Sequence, residues 1–187
     1  MMKVLKILIL FTLLFFIYSD TGFSQTLPQA PEGFTWKKLD QVKAAVLIPA
    51  GWYFKQEKAD GTWAFFLTKE NLEKSNWYKT GISIQVFQQK PEGTSENLAF
   101  HLIAGYAKDG GLIKTWNFAQ GVYKGYGWQG VAKKEKGERT KTHGLVFLNT
   151  GTKTVYLVLF ESPEPEWEKN WRIGEKLTQM IGFSDDI

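Results

Sequence analysis

The 187-residue chain contains no cysteine, and this absence excludes several kinds of protein at once. Without cysteine there is no disulfide, no thiol nucleophile, no thiolate ligand for zinc and no cysteine to accept the lipid of a lipoprotein. A hydrophobic core must therefore hold the fold together. A domain of this size buries enough of its surface to be stable in that way.

Charge of one sign and long apolar runs are also scarce. The 23 basic and 19 acidic residues leave a net charge of +4, which is too small and too evenly spread to indicate a nucleic-acid partner. The apolar run Ile7–Tyr18 would reach about 18 Å as a helix, whereas the hydrocarbon core of a bilayer is about 30 Å thick. It is too short for a comfortable membrane span.

The N-terminus instead has the pattern of a secretory signal. Lys3 and Lys6 form a basic start, the apolar run follows, and Gly22 and Ser24 supply small residues at the −3 and −1 positions of a cleavage site. This pattern predicts a signal peptide over residues 1–24 and export to the periplasm or the medium. The alternative, an uncleaved anchor, keeps the same domain outside the cytoplasm.

The rest of the chain predicts one domain over residues 34–187, preceded by a polar, proline-rich lead over residues 25–33 that we expect to be flexible. Apolar residues at helical spacing predict helices over Thr94–Lys108 and Pro165–Ile181. Alternating or continuous apolar runs predict strands. These strands are Phe34–Leu39, Lys43–Ile48, Trp52–Glu57, Thr62–Thr68, Ile82–Phe87, Leu112–Ala119, Tyr123–Lys133, Thr142–Asn149 and Thr154–Glu161.

Several residues predict how the helices begin and pack. Thr94 or Ser95 is a suitable N-cap for the first helix, and Ser162 or Glu164 for the second. Gly174 lies in the apolar stripe of the second helix, where glycine costs about 1 kcal/mol. We therefore expect Gly174 to allow a close approach between that helix and the sheet.

Several short motifs together resemble the PsbP-like family. The run Val46–Trp52 ends a strand with the pattern IPxxW, and Thr80–Val86 follows in the order found in that family. A helix beginning near Ser95 and a terminal helix beginning near Trp167 complete the resemblance, which covers residues 34–183. It implies an α+β fold in which an antiparallel β-sheet is flanked by helices, the α/β/α sandwich of PsbP.

Members of that superfamily include extrinsic subunits and assembly factors of thylakoid membrane complexes, a Ran-GTPase-binding protein and bacterial exported proteins. They resemble binding proteins rather than enzymes. No counterpart of the N-terminal docking segment of the photosystem subunit is found, and no functional residue can be transferred on a matching motif. The resemblance therefore implies a fold but no partner.

Residue types that carry chemistry are few. The two histidines, His101 and His143, lack the spacing of a metal site, and no GxSxG motif or supported nucleophile is present. We expect His101 to face solvent on the first helix. The sequence therefore predicts no catalytic residues, no metal and no cofactor, and a hydrolase is only a weak alternative.

The most distinctive segment alternates glycine with aromatic residues over residues 121–130. On a strand, Lys124, Tyr126 and Trp128 share one face. If that face is exposed, it offers an aromatic surface for a ligand or a protein. The alternative is that these rings pack beneath a helix, with the glycines making room for them.

Two further segments are candidate contact sites. Trp77 and Tyr78 lie in the segment Asn76–Lys79 of a predicted loop between Lys69 and Thr80, which either binds a partner or covers the core as a lid. The charged hairpin Lys133–Lys141 is explained by solvation and protection of a sheet edge, with an anionic partner as the alternative.

Taken together, these features favour an exported, non-enzymatic binding or accessory protein of the bacterial cell envelope. It would act through protein–protein contacts with an envelope protein or membrane complex that the sequence does not identify. The alternative is a small-ligand or carbohydrate-binding module that uses the exposed rings of Tyr126, Trp128 and Trp77.

Overall fold

The computed structural model describes residues 27–75, 77–133 and 137–184. The predicted signal peptide over residues 1–24 lies outside the described residues, as do Asn76 and the hairpin tip at 134–136. Within the described ranges, no helix is both long enough and apolar enough to cross a membrane.

Ten strands in the described ranges form two antiparallel sheets. The strands are β1 (Phe34–Leu39), β2 (Ala44–Pro49), β3 (Tyr53–Ala59), β4 (Thr62–Thr68), β5 (Gly81–Phe87), β6 (Leu112–Gln120), β7 (Tyr123–Lys133), β8 (Arg139–Asn149), β9 (Thr154–Pro163) and β10 (Gly182–Phe183). The small sheet has the order β1-β2-β10, and the large sheet has the order β3-β4-β5-β9-β8-β7-β6. The predicted α+β class with an antiparallel sheet is confirmed.

Two helices flank the large sheet. Helix α1 (Thr94–Lys108) packs on one face, against a cluster centred on Trp128 and Val146. Helix α2 (Trp167–Gln179) and the small sheet pack on the opposite face, against a larger cluster that includes Phe65. The two helices and the large sheet make the layers of an α/β/α sandwich, as the resemblance to PsbP implied.

Strand β9 shows why the large sheet is covered on both faces. Val155 and Leu157 belong to the cluster beneath α1, whereas Tyr156, Val158 and Phe160 belong to the cluster beneath α2. Successive side chains of a strand point to opposite faces, so an unbroken apolar run supplies both layers. The prediction of strands covered on both sides is confirmed for this strand.

Gly174 lets α2 approach the sheet closely. A Cβ atom at this position would lie 2.7 Å from atoms of the Phe160 ring on β9, a distance that real Cβ contacts do not show. The close approach that we expected from a glycine in the apolar stripe is confirmed. The aromatic ring occupies the space that any other side chain would fill.

The predicted N-caps of α1 are wrong. Gly93, with a φ angle of 81°, precedes the helix, and no side chain caps it. The Thr94 hydroxyl instead donates to the carbonyl oxygen of Pro91 at 2.7 Å. The Ser95 hydroxyl donates to Oε2 of Glu96 at 2.8 Å. Both hydroxyls are therefore engaged in local bonds that compete with capping.

The terminal helix also begins later than predicted and is not capped by Ser162 or Glu164. Glu164 lies in a 3₁₀ turn ahead of α2, and the Ser162 hydroxyl accepts a hydrogen bond from the side chain of Asn170. The helix ends at Gln179. The chain then extends to Gly182 and Phe183, which pair with β2 as β10.

The segment expected to be a flexible lead contacts the folded chain where it is described. From residue 27 to residue 31 it forms no helix or strand. The indole of Trp36 nevertheless donates to the carbonyl oxygen of Pro28 at 2.7 Å, and Ala30 packs against the large core cluster. These contacts hold the described part of the lead against the domain.

Candidate functional site

The loop from Lys69 to Thr80 connects β4 to β5, and a buried asparagine anchors its base to α2. The side chain of Asn170 is fully buried, and its Oδ1 atom accepts a hydrogen bond of 2.6 Å from the Lys69 ammonium. Its amide group donates to the hydroxyls of Ser162 at 2.7 Å and Thr80 at 3.3 Å. Because both ends of the loop are bonded to one side chain, the loop leaves the sheet in a defined direction.

Tyr78 fixes the loop at a second point. Its hydroxyl donates to Oε2 of Glu161 on β9, at 3.0 Å. Burial raises the pKa of the Tyr78 phenol well above its usual range, and the neighbouring carboxylate of Glu161 raises it further. The phenol therefore stays protonated and acts as a hydrogen-bond donor. Tyr78 is a packed anchor and only partly accessible.

Trp77, by contrast, projects from this anchored loop. Its side chain is 59% exposed, and the Lys79 ammonium lies 5.6 Å from the centroid of its ring. Two cavities, of about 430 Å³ and about 480 Å³, both have Trp77 and Tyr78 in their walls. The loop thus presents a large aromatic ring beside concave surface.

Charged side chains of both signs surround this ring. Lys79 lies 3.4 Å from Glu138, and Arg139 forms two contacts with Glu164, at 2.6 Å and 3.2 Å. We call Trp77, Lys79, Glu138 and Arg139 the Trp77 surface. Exposed ion pairs of this kind contribute little stability, about 0 to 1 kcal/mol each. They do give the surface a pattern of alternating charge.

The described part of the charged hairpin is engaged in such contacts. Besides the pairs of Glu138 and Arg139, the Lys141 ammonium lies 4.8 Å from the ring centroid of Trp167. These bases already have acidic or aromatic neighbours. The contacts agree with the explanation by solvation. Edge protection does not explain these charges, because the hairpin joins β7 and β8, which are inner strands of the large sheet. An anionic partner stays a prediction.

Strand β7 does not supply the aromatic surface that the sequence suggested. Lys124, Tyr126 and Trp128 share the face beneath α1, as alternation predicts. Trp128, however, is 0% exposed, so the expectation that it offers an accessible ring is wrong. Tyr126 is half-buried against the same cluster, and the exposed Lys124 lies 3.8 Å from Glu96 of α1. The alternative arrangement, with rings packed beneath a helix, is the one observed.

The two histidines occupy different environments. His101 is exposed on α1, as predicted, and its ring meets Phe100 edge-on at 5.8 Å. His143 is half-buried on β8, where burial, and then the charge of Lys114, lower its pKa to about 4. Among the residues that the structure describes, no three potential His, Cys, Asp or Glu ligands come together around one point.

Sequence reasoning missed the surroundings of His143. Its ring contacts two indoles, with centroid distances of 5.2 Å to Trp116 and 4.5 Å to Trp171. Trp116 lies on β6 and Trp171 on α2, so the group forms only when three separate elements pack together. The one local signal is Gly127, because a Cβ there would lie 2.2–2.5 Å from the Trp116 ring.

Comparisons with known proteins identify similar structures but no similar sequences. No protein-family model matches the sequence, and no curated protein matches it. The structure is similar to that of cyanobacterial PsbP (CyanoP) from Synechocystis sp. PCC 6803. The TM-score is 0.53 and the identity is 11%, over 87% of this chain and 100% of that chain.

Two other solved structures are more distant. The Ran-binding protein Mog1p of Saccharomyces cerevisiae matches 80% of this chain and 95% of its own, with 10% identity and a TM-score of 0.49. LpqN of Mycobacterium tuberculosis, described as involved in cell envelope biogenesis, matches 84% and 82%, with 8% identity and a TM-score of 0.42. The match to CyanoP confirms the PsbP-like fold; at such identities it carries no function across.

Proposed function

We propose that this protein is an exported, non-enzymatic accessory protein that binds a protein component of the cell envelope through the Trp77 surface. The observation that carries the proposal is the 59% exposure of Trp77 on a loop anchored at both ends. A partner that covers the ring removes its apolar area from water, which favours binding.

The anchoring of the loop matters for affinity. Tryptophan is among the residues most often found at the energetic centre of protein interfaces. A ring on a mobile loop must be ordered during binding, at a cost of about 0.5 to 1.5 kcal/mol for each immobilised side chain. The bonds of Tyr78 and Lys69 hold the Trp77 loop in place before any partner arrives.

The charges around the ring favour a protein over a uniformly charged partner. Lys79 and Arg139 alternate with Glu138 and Glu164, so neither sign dominates. A phosphate backbone would be recognised by a cluster of unpaired bases, whereas a protein surface carries charges of both signs. Mixed charges at the rim of an aromatic centre supply specificity for such a partner.

Export is the part of the proposal that the N-terminal sequence supports. The basic start, the short apolar run and the small residues Gly22 and Ser24 have the order of a cleaved signal. After export, the domain would face the periplasm or the medium. A partner there would be an envelope protein or a membrane complex.

The experiment is a comparison of three forms of the tagged mature chain, each lightly cross-linked in its native envelope fraction and read by mass spectrometry. The forms are wild type, Trp77→Ala and Phe100→Ala. Phe100 is the matched control, because it is 70% exposed but lies on α1 rather than in the Trp77 loop.

We expect one recurrent partner with wild type and with Phe100→Ala, and at least a tenfold loss of that partner with Trp77→Ala. The same recovery with all three forms would contradict the proposed surface. Absence of any partner above background with wild type would contradict the accessory function itself.

A further inference from the structure

A second cleft lies on the α2 side of the large sheet and shares no residue with the Trp77 surface. It has a volume of about 380 Å³, within the range of about 300 to 1,000 Å³ that is usual for small-molecule sites. We call it the His143 cleft. Its walls include Lys114, Trp116, Gln129, His143, Trp171 and Glu175.

Trp116 provides the flat wall of the cleft. One face of its indole lies against the backbone of Gly127 on the neighbouring strand, where even a methyl group would collide with the ring. The other side is approached by the ammonium of Lys114, 5.5 Å from the ring centroid. Lys114 is exposed on an edge strand, so its side chain is able to move aside or to bond a ligand on the ring.

His143 and Gln129 form the polar floor. Nε2 of Gln129 lies 3.3 Å from Nδ1 of His143. Burial keeps the pKa of His143 near 4, so the imidazole is neutral at pH 7. When the Gln129 amide donates to Nδ1, the imidazole proton resides on Nε2, which is then a donor. The amide oxygen of Gln129 is an acceptor beside it.

The net charge of the cleft is close to zero. Lys114 is a cation and Glu175 an anion, and His143 is neutral, so neither an anionic nor a cationic ligand is favoured. The remaining polar side chains are the amides of Gln129 and Gln179 and one hydroxyl, that of Thr178, and such groups both donate and accept hydrogen bonds. A ligand with an apolar face and several neutral hydroxyl groups matches this wall.

We propose that the His143 cleft binds a neutral carbohydrate of one or two sugar rings. The C–H face of a pyranose would stack on Trp116, and its hydroxyls would exchange hydrogen bonds with Gln129, Glu175 and Lys114. The inference is independent of the proposed protein partner, because the two sites have no residue in common.

The test uses the mature chain and saturation-transfer difference NMR, followed by calorimetry. The probes are the methyl glycosides of glucose, galactose and N-acetylglucosamine, the disaccharides maltose, cellobiose and chitobiose, and glucuronic acid as an anionic comparison. The variants are Trp116→Ala, Glu175→Ala and, as the control outside the cleft, Trp77→Ala. Glu175 is exposed, so its replacement is not expected to disturb folding.

We expect at least one neutral sugar to bind, with at least tenfold weaker binding to Trp116→Ala and at least threefold weaker binding to Glu175→Ala. Trp77→Ala should bind as wild type does. The proposal is overturned if no neutral sugar binds at millimolar concentration, or if only glucuronic acid binds. Unchanged affinity in Glu175→Ala, whether or not Trp116→Ala folds, would also overturn it.

Discussion

The hydroxyl of Tyr78 donates a hydrogen bond of 3.0 Å to the carboxylate of Glu161, 83 positions later in the chain. This bond ties the loop between β4 and β5 to the central strand β9, and the next residue back, Trp77, is 59% exposed. A hydrogen-bonded, largely packed anchor beside an exposed ring is the arrangement expected of a binding residue on a rigid scaffold.

Replacing Tyr78 with Phe removes the bond but keeps the ring. We expect the free energy of unfolding to fall by about 1 to 2 kcal/mol, because the Glu161 carboxylate loses a buried donor. Urea denaturation measures this change. Tyr53→Phe is the control, since Tyr53 is 47% exposed and should change stability by less than about 0.5 kcal/mol. Equal effects in the two variants would show that the Tyr78 bond does not anchor the loop.

Gly127→Ala tests the seat of Trp116. The added methyl would lie 2.2–2.5 Å from the indole of Trp116, so this ring must move away from the backbone of β7. We expect a loss of about 1 to 3 kcal/mol in the free energy of unfolding, typical of overpacking. Gly105→Ala is the matched control. Gly105 lies on helix α1, and a methyl group there meets nothing within 4 Å. We expect this replacement to raise the free energy of unfolding by as much as about 1 kcal/mol. If both variants were stabilised, the contact of Trp116 with Gly127 would be refuted.

His143 predicts a specific dependence of stability on pH. Its pKa is about 4 in the folded chain and about 6.5 in the unfolded chain. As pH falls below 6.5, His143 takes up a proton in the unfolded chain before it does so in the folded chain. The contribution of His143 to the free energy of unfolding therefore decreases down to about pH 4 and is constant below that pH. The contribution is at most about 3 kcal/mol.

His143→Gln removes the contribution of the imidazole to the pH dependence of stability and keeps a neutral polar side chain. We expect the variant to lose less stability than wild type between pH 6.5 and pH 4, as measured by denaturation at a series of pH values. Carboxyl groups titrate in both forms and cancel in the comparison. Parallel pH profiles would mean that His143 has an ordinary pKa in the folded protein.

The signal peptide predicts a defined mature N-terminus. Protein recovered from the native envelope fraction should begin at Gln25, because cleavage follows Ser24. Replacing Ser24 with Leu places a large residue at the −1 position and should leave the full-length precursor uncleaved. Intact-mass spectrometry distinguishes the two forms. Recovery of wild type as the full-length chain would favour an uncleaved anchor, and recovery in the cytoplasm would exclude export.

Local patterns in the sequence predicted the elements well. The alternation of Ile82, Ile84 and Val86 placed β5, and the spacing of apolar residues placed α1 at Thr94–Lys108. Such patterns reflect which side chains are buried, so they predict an element without any knowledge of the elements that pack against it. The two-residue strand β10 was missed, because it exists only through its pairing with β2.

The caps and the sites required tertiary information. Ser162 appeared suitable as a cap, but the fold engages its hydroxyl with Asn170. The glycines around Trp128 suggested a ring exposed for binding, but α1 covers this side chain completely. The grouping of Trp116 with His143 depends on strand register and on the position of α2, neither of which is encoded locally.

Trp77 was identified from the sequence, although only as one of two alternatives. An apolar residue on a strand is usually buried, but an apolar residue in a loop is either exposed to a partner or packed over the core. The position of Trp77 in a loop therefore did not decide its exposure. The structure places the two neighbouring residues differently. Tyr78 packs over the sheet and bonds Glu161, while Trp77 projects outward.

The most direct test of the account is site-specific photo-cross-linking from position 77. A photoreactive phenylalanine analogue would replace Trp77 in one form of the exported chain and Phe100, also exposed, in another. Irradiation of the native envelope should give one discrete adduct from position 77 and none from position 100. No adduct from position 77, or the same adducts from both positions, would contradict the claim that the Trp77 surface binds a specific envelope protein.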